Sequence, residues 1–413
     1  MVAANALSVS LSAAFQINLM RERHAILGAV RGVECMLPTN LNDLTPTDIQ
    51  NLIDGEVAEN LTLEYKEALP TGGTDDKREF LYDVAAMANQ AGGDFVFGLV
   101  DRRGEDGQSE GIPERLAGMK LSNVQTEIAR LSNLIKDGIA PRLVGVAMQF
   151  VSCPDGDELV IRVPQSWNRP HMVTFGGTNK FYGRVSTGKY LMSVEEIGRA
   201  FSERRELRET IEYWRTHRAE LASRGDGPVP LASEVTMLFH VMPASAFNRE
   251  VLRRTWIMPP EEKLRVYVPN GHGAFSTRYN GDGFLATAQI SGQAGADGYT
   301  QLFRSGIIEY ADSRCYWGSN GLGPMVRGQE IEKQMVHCYE YAINRARKEG
   351  QSGVLYVGFS LIGIAGKPFY STMTGTVLSE HHSIRKDIFI SPEVFVDINE
   401  PEAPPIGTPS FPS

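Results

Sequence analysis

The sequence is poor in cysteine, in long apolar runs and in net positive charge, and each shortage argues against a class of protein. Its 413 residues include 4 cysteines (Cys35, Cys153, Cys315 and Cys338) with no CxxC pair. This usage argues against a disulfide framework or a zinc site and favours a reducing cytoplasm. No apolar run reaches the length of a membrane span, so no membrane partner is expected.

The charge balance is acidic, with 41 basic residues, 50 acidic residues and a formal net charge of −9. A protein that grips nucleic acid over its whole surface would be basic, which argues against binding of that kind but leaves a local basic groove open. The first arginine, Arg21, follows the apolar start of the chain. We therefore interpret residues 1–44 as an N-terminal extension rather than a signal peptide.

The pattern of helices, strands and breaks predicts an α+β protein with two folded domains. The stretch ASRGDGPVPLAS contains glycines and prolines typical of a linker. It separates a mixed sheet with flanking helices, at residues 45–224, from a second mixed α/β domain of unknown role, at 225–398. The last residues, 399–413, include five prolines and are predicted to be disordered.

Within the first domain, a helix is predicted from Pro46 to Gly55, followed by a half-buried strand over residues 61–66. A second helix is predicted to begin at Asp76 and to be stopped by Gly92 and Gly93. One buried strand is then predicted over residues 94–101, ending at Asp101.

Acidic residues are concentrated where these elements meet. Glu59 and Glu64 have opposite parity along a strand, so they can converge only if Glu59 lies in the preceding turn. If the two strands are neighbours, Asp101 joins them, and Lys66 shares a strand face with Glu64. Two like charges 4 Å apart cost about 4 kcal/mol at an effective dielectric of 20. Such a cluster favours a bound Mg²⁺ or Mn²⁺. The alternative is a solvated strand edge with an ordinary surface ion pair between Glu64 and Lys66.

Three blocks of sequence carry a resemblance to a known family. In order they are ENLTLEYK, DVAAMANQAGGDFVFGLVD and FYGRVSTGKYLMSVEEI, all within residues 56–200. Together they resemble the Schlafen AlbA-like (AlbA_2) domain family, in a bacterial member with an additional C-terminal domain. The resemblance implies a divalent-metal-dependent endoribonuclease for tRNA or other structured RNA. Glu59, Glu64 and Asp101 would hold Mg²⁺ or Mn²⁺, and Lys66 would neutralise charge developing on the phosphate.

The same resemblance leaves other functions open. Some members of the family are described as DNA-binding or nucleotide-binding regulators, so a non-catalytic regulatory protein is the alternative. RNA is favoured as the partner, with DNA also compatible. A role in antiviral defence or stress is a further hypothesis. A homodimer would supply the second lobe that vertebrate Schlafens carry in one chain.

Two further patterns involve basic residues. GRVSTGK has the spacing of a phosphate-binding loop, but Tyr190 replaces the Ser or Thr needed for Mg²⁺. Arg184 and Lys189 are predicted instead to contact nucleic-acid phosphates or to lie on a solvated hairpin. The arginines and glutamates of residues 199–220 nearly cancel, which favours a solvated helix held by ion pairs.

Overall fold

A computed structural model of the chain describes residues 37–398, except 39, 154–155, 187, 248–265, 272–274, 289–293, 319–322, 349–352, 372–375 and 379–384. Most of the predicted N-terminal extension and all of the predicted tail at 399–413 lie outside the described residues. None of the helices in the described part of the chain is both long enough and apolar enough to cross a membrane.

The N-terminal part contains three helices, ten strands and two short 3-10 turns within the described residues. The helices are α1 (Pro46–Asp54), α2 (Thr74–Asn89) and α3 (Val124–Gly138), and the 3-10 turns are Leu41–Asp43 and Phe175–Gly177. The strands are β1 (Leu63–Lys66), β2 (Gly92–Phe97), β3 (Leu99–Arg103), β4 (Ser109–Leu116), β5 (Ile139–Ala140), β6 (Ala147–Cys153), β7 (Gly156–Pro164), β8 (Met172–Val173), β9 (Lys180–Val185) and β10 (Gly188–Leu191).

These strands form two four-stranded sheets and a hairpin. One sheet has the order β1-β2-β7-β6, the other has the order β10-β9-β8-β5, and β3 pairs with β4. Strands β1 and β2 run parallel, as the crossover through α2 requires. Helix α2 is buried along most of its length, and its apolar side chains fill the core against β2 and β7. The second sheet meets α2 mainly through β9.

The predicted strand over residues 94–101 is in fact two strands, which corrects the sequence prediction. Gly98, at φ 104°, separates β2 from β3, and an added Cβ there would lie 2.8 Å from the carbonyl oxygen of Asp157. The chain turns away at this glycine, so Asp101 lies within β3, at an irregular point of the pairing with β4. It does not end the strand that neighbours β1.

The C-terminal part is built around an eight-stranded sheet. Its helices are α4 (Val194–Ser223) and α5 (Gly328–Lys348), and a 3-10 turn covers Ala244–Phe247. Its strands are β11 (Thr236–Pro243), β12 (Ser276–Tyr279), β13 (Gly283–Ala288), β14 (Gly298–Phe303), β15 (Ile308–Asp312), β16 (Tyr316–Trp317), β17 (Met325–Arg327), β18 (Val354–Ile362), β19 (Phe369–Ser371), β20 (Thr376–Leu378), β21 (Ile388–Ile390) and β22 (Val394–Asp397).

The large sheet has the order β12-β13-β14-β15-β11-β18-β21, with β22 also paired to β18. A smaller sheet has the order β16-β17-β19-β20. Helix α5 packs its buried side chains into the core beneath β11 and β15. Helices and mixed sheets in both parts of the chain confirm the predicted α+β class. The domain division at residues 224 and 225 stays a prediction.

Helix α4 lies on the large sheet, and its buried arginines correct the prediction of a solvated helix. Ser193 begins it with a capping box formed with Glu196. Arg215 is fully buried and donates to the carbonyl oxygens of Ser391 at 2.8 Å and Phe359 at 2.9 Å. Arg218 makes two bonds, of 2.6 and 2.8 Å, to the carboxylate of Glu309 on β15. Helical charge spacing does not distinguish solvent from a polar sheet face, which is why the prediction failed.

Glu309 is the centre of a buried polar cluster beneath α4. Besides Arg218, its carboxylate lies 2.9 Å from Nε2 of His240 and accepts a 2.8 Å bond from the Tyr299 hydroxyl. Burial opposes ionisation of Glu309, but these hydrogen bonds and charges outweigh it and lower its pKa from 4.5 to about 2. The cluster therefore holds a charged carboxylate between α4 and the sheet.

Replacement of Glu309 by Ala leaves Arg218 buried without its carboxylate, and removal of one partner from a buried pair costs about 3–5 kcal/mol. We expect the free energy of unfolding of the C-terminal part to fall by this amount in urea denaturation followed by tryptophan fluorescence. The control is Glu330→Ala, which removes an exposed 3.0 Å pair with Lys333 and should cost less than about 1 kcal/mol. Equal urea midpoints for the two variants would contradict the role given to Glu309.

Candidate active site of the N-terminal domain

Glu59 lies in the connection between α1 and β1, as its parity along the sequence predicted. Its backbone N–H donates to the carbonyl oxygen of Gly111 on β4 at 2.7 Å, and its Oε1 accepts from the N–H of Tyr65 at the same distance. Gly111 has φ 65°, and an added Cβ would lie 3.3 Å from Oε2 of Glu59. The β3–β4 hairpin therefore approaches this carboxylate closely because position 111 lacks a side chain.

Asp101 reaches the same region from β3. Its Oδ2 accepts a 3.1 Å bond from the hydroxyl of Ser109, while its Oδ1 is buried with no hydrogen-bond partner. Burial is the main cause that raises the pKa of Asp101. The pKa of Glu59 is also raised, mainly by burial and further by the charges of Asp101 and Glu64. The three acids are thus close enough to repel one another.

Glu64 and Lys66 share a face of β1, as predicted, but the carboxylate of this pair is buried. The Glu64 carboxylate is 8% exposed and pairs with both the Lys66 ammonium and the Arg184 guanidinium. Burial opposes its ionisation, yet these two cations outweigh burial and lower the pKa of Glu64. The alternative of a solvated strand edge with an ordinary surface pair is therefore wrong for Glu64.

Arg184 is buried on β9 and is not part of a solvated hairpin. It is 3% exposed, and besides Glu64 it donates to the carbonyl oxygens of Leu61 at 3.1 Å and Asn60 at 3.2 Å. The guanidinium thus bonds both the β1 carboxylate and the backbone that precedes β1. Direct phosphate contact by Arg184 stays a prediction, and it would require this pairing to open.

Asp83 on α2 is an acid of this site that sequence reasoning missed. It is 5% exposed, and it pairs with Nζ of Lys66 at 3.3 Å and with Nζ of Lys189 on β10 at 2.6 Å. Lys189 also contacts Glu79 at 2.8 Å. Burial and the charge of Glu64 raise the pKa of Asp83. The available sequence signal was an aspartate in the midst of an apolar helix face.

Six side chains from four elements therefore form a chain of alternating charge, which we call the charge ladder. Its order is Arg184, Glu64, Lys66, Asp83, Lys189 and Glu79. Three cations balance three carboxylates, so the ladder is formally neutral. Burial alone would lower the pKa of Lys66, but Asp83 and Glu64 raise it well above its ordinary range. Lys66 is therefore a fixed positive charge at the centre of the ladder, with its side chain 37% exposed.

The donor set has features for and against a divalent ion. Oxygen-only ligands suit Mg²⁺ or Mn²⁺, and the unpartnered Oδ1 of Asp101 beside Glu59 is an atom that a cation would satisfy. Glu64, however, is held by Lys66 and Arg184. Among the described residues, no group of three or more His, Cys, Asp or Glu side chains is arranged to hold a metal ion. The oxygens of Glu59 and Asp101 suit such an ion by their chemistry, whereas Glu64 would first have to be released from its cations.

Asn89 positions the strands that carry the basic end of the ladder. At the end of α2, its side-chain amide donates to the carbonyl oxygens of His171 at 3.0 Å and Tyr182 at 2.9 Å, and it accepts from the His171 N–H at 2.7 Å. The His171 ring is itself buried between Ser166 and the Pro141 carbonyl oxygen. Burial is the main cause that lowers the pKa of His171 to about 4, with a smaller contribution from Arg204.

The buried ring of His171 predicts a loss of stability in mild acid. The unfolded chain takes up a proton near pH 6.5, whereas the folded chain does so only near pH 4. Stability should therefore fall by about 2 kcal/mol between pH 7.5 and pH 5, measured as urea midpoints. His171→Gln removes this titrating group and should reduce the dependence by that amount. His217→Gln, at an exposed position, should leave the dependence unchanged. An unaltered pH slope in His171→Gln would contradict the assignment.

Residues 59–193 match the family model "Schlafen, AlbA_2", so the chain contains a Schlafen AlbA_2 domain and the resemblance inferred from the sequence is confirmed. The match ends at the residue before α4, and it includes every member of the charge ladder.

Two solved structures are similar to part of this chain. One is the N-terminal domain of a protein described as related to the ATP-dependent DNA helicase RecG, from Nitrosomonas europaea. It is 19% identical, covers 35% of this chain and 88% of that chain, and has a TM-score of 0.27. The other is the DIP2311 protein from Corynebacterium diphtheriae, which is 16% identical, covers 35% of this chain and 25% of that chain, and has a TM-score of 0.24. At these scores the likeness carries no functional argument. No curated protein sequence matches the chain.

Proposed function

We propose that the AlbA_2 domain acts on nucleic acid, as a metal-dependent endoribonuclease for tRNA or other structured RNA. The observation that carries the proposal is the convergence of Glu59 and Asp101 beside Glu64 and Lys66 within the AlbA_2 region. RNA is the favoured substrate, and DNA is the alternative.

The proposed roles follow from the contacts of each side chain. Glu59 and Asp101 would hold Mg²⁺ or Mn²⁺, with Glu64 as a third ligand once Lys66 or Arg184 releases it. When bound, such an ion polarises a phosphate and lowers the pKa of an attacking water. Lys66 keeps its proton across the physiological range because Asp83 and Glu64 raise its pKa. Its ammonium would neutralise charge that develops on the phosphate.

A second function is favoured by the pairing of Glu64. Because that carboxylate is held by Lys66 and Arg184, the domain could bind DNA, RNA or a nucleotide without cleaving it. The protein would then be a non-catalytic regulator whose C-terminal domain responds to a partner. In either case a role in defence or stress response is the biological setting that we propose.

The cleavage hypothesis is tested with Asp101→Asn, which keeps the shape of the side chain and removes its charge. Incubation of the variant with tRNA and Mn²⁺ should give at least about 100-fold less cleavage than wild type, since an electrostatic group of this kind contributes about 10²–10³ in rate. Glu59→Gln should behave alike. Asp106→Asn, in the exposed β3–β4 turn, is the matched control and should cleave as wild type does.

Two results would remove the nuclease hypothesis. One is the absence of cleavage by wild type at high enzyme concentration with either Mg²⁺ or Mn²⁺. The other is equal cleavage by wild type and Asp101→Asn. Tight binding of RNA or DNA that is unchanged in Asp101→Asn and needs no divalent ion would favour the non-catalytic regulator instead.

A homodimer would bring two AlbA_2 domains to one nucleic acid, and we propose it as the working assembly. Light scattering at the concentration used for cleavage should then give twice the chain mass of 45.6 kDa. A mass of one chain under those conditions would contradict the dimer and leave the site proposal intact.

A further inference from the structure

A cleft adjoins the charge ladder at Lys66. It has a volume of about 290 Å³ and lies between the loop that follows β1 and helix α2. Lys66 and Asp83, the two central members of the ladder, both line it. A ligand in this cleft would therefore contact the proposed active site directly.

The walls of the cleft differ from the ladder in chemistry. Its floor is apolar and includes the buried rings of Phe80, Phe95 and Phe97, with Leu69 and Pro70 at one side. Its rim carries the carboxylates of Asp76 and Glu79, which lie on exposed residues. An apolar cleft edged by hydrogen-bond acceptors suits a ring that has apolar faces and donates from its edge.

The charges around the cleft indicate where a phosphate attached to the ring would lie. Asp83 and Glu79 are balanced by Lys66 and Lys189, and Asp76 adds an exposed carboxylate at the rim, so a neutral ring is favoured over an anionic one. Lys66, whose side chain is 37% exposed, also lines the cleft. A phosphate attached to the ring can therefore lie at Lys66 while the ring occupies the cleft. Adenine, cytosine and guanine have the required exocyclic amino groups, and a base inside a duplex cannot present its face in this way.

We propose that this cleft binds an unpaired nucleobase next to the phosphate held at Lys66, so that the domain selects single-stranded segments such as RNA loops. The proposal rests on the proposed action on nucleic acid and specifies its substrate. The base contributes through the apolar floor, and Asp76 and Glu79 favour amino-bearing bases over uracil.

The test is to fill the cleft from its rim. Ala68 is exposed and lines the cleft, so Ala68→Trp places a ring there without disturbing the buried floor. Gly198 on α4 is exposed, and a Cβ added there meets no atom within 4 Å. Gly198→Trp is therefore the matched control for added bulk. Thermal unfolding of both variants at the wild-type temperature establishes that they are folded.

Binding is measured by fluorescence anisotropy with a labelled single-stranded adenine-rich RNA 12-mer and with the same RNA in a duplex. Stacking and packing of one base is worth about tenfold in affinity, so Ala68→Trp should weaken single-strand binding by at least that factor. Duplex binding should be weaker in wild type and unaffected by Ala68→Trp. Gly198→Trp should match wild type on both probes.

The outcomes separate this inference from the proposed function. Wild type that binds neither RNA overturns the cleft inference, whereas cleavage of tRNA with Mn²⁺ by the same sample decides the proposed function separately. If wild type and Ala68→Trp bind the single strand equally well, the inference about the cleft is wrong and the proposed function stands. If AMP at millimolar concentration competes with the labelled RNA for wild type but not for Ala68→Trp, this would support base binding in the cleft. It would also identify a free nucleotide as a source of the bound base. Weaker competition by UMP than by AMP is expected, and equal competition would overturn the role of the acidic rim.

Discussion

The pairing of Arg184 with Glu64 is the interaction on which the N-terminal site depends. A buried carboxylate is expensive unless a partner of opposite charge holds it, and here the partner comes from a different sheet, on β9. Its guanidinium also bonds the backbone just before β1. Because Glu64 is thereby kept charged, it attracts the Lys66 ammonium. Lys66 in turn pairs with Asp83, and Asp83 pairs with Lys189. The positions of six side chains thus derive from one buried pair.

The site therefore combines two kinds of acid. Glu59 and Asp101 have raised pKa values because burial and mutual repulsion disfavour their charge, whereas Glu64 has a lowered pKa because two cations contact it. Carboxylates whose environments separate their pKa values in this way are suited to different tasks in one reaction. In the N-terminal domain the repelling pair is available to a cation or a proton, while Glu64 organises the basic groups.

Much of the N-terminal domain followed from the sequence because its signals are local. The turn position of Glu59 came from strand parity, and α2 came from periodicity, although the helix ends at Asn89 and the double glycine that was predicted to stop it begins β2. The break at Gly98 was missed because a glycine inside an apolar run looks like part of a buried strand until the close backbone of Asp157 is known. Asp83 and the burial of Arg184, Arg215 and Arg218 were missed for a common reason. Each depends on a partner more than 15 residues away in sequence, and no periodic pattern encodes that partner.

Helix α4 has a consequence for how this chain can be divided or recombined. The family match stops where the helix begins, yet its arginines are bonded to the strands and carbonyl groups of the following sheet. A cut at the end of α4 would remove the helix that packs on the large sheet. It would also leave Arg215 and Arg218 without their acceptors. A cut before Ser193 keeps helix and sheet together. In domain grafting, a boundary before Ser193 is therefore expected to preserve the C-terminal sheet better than a boundary after Ser223.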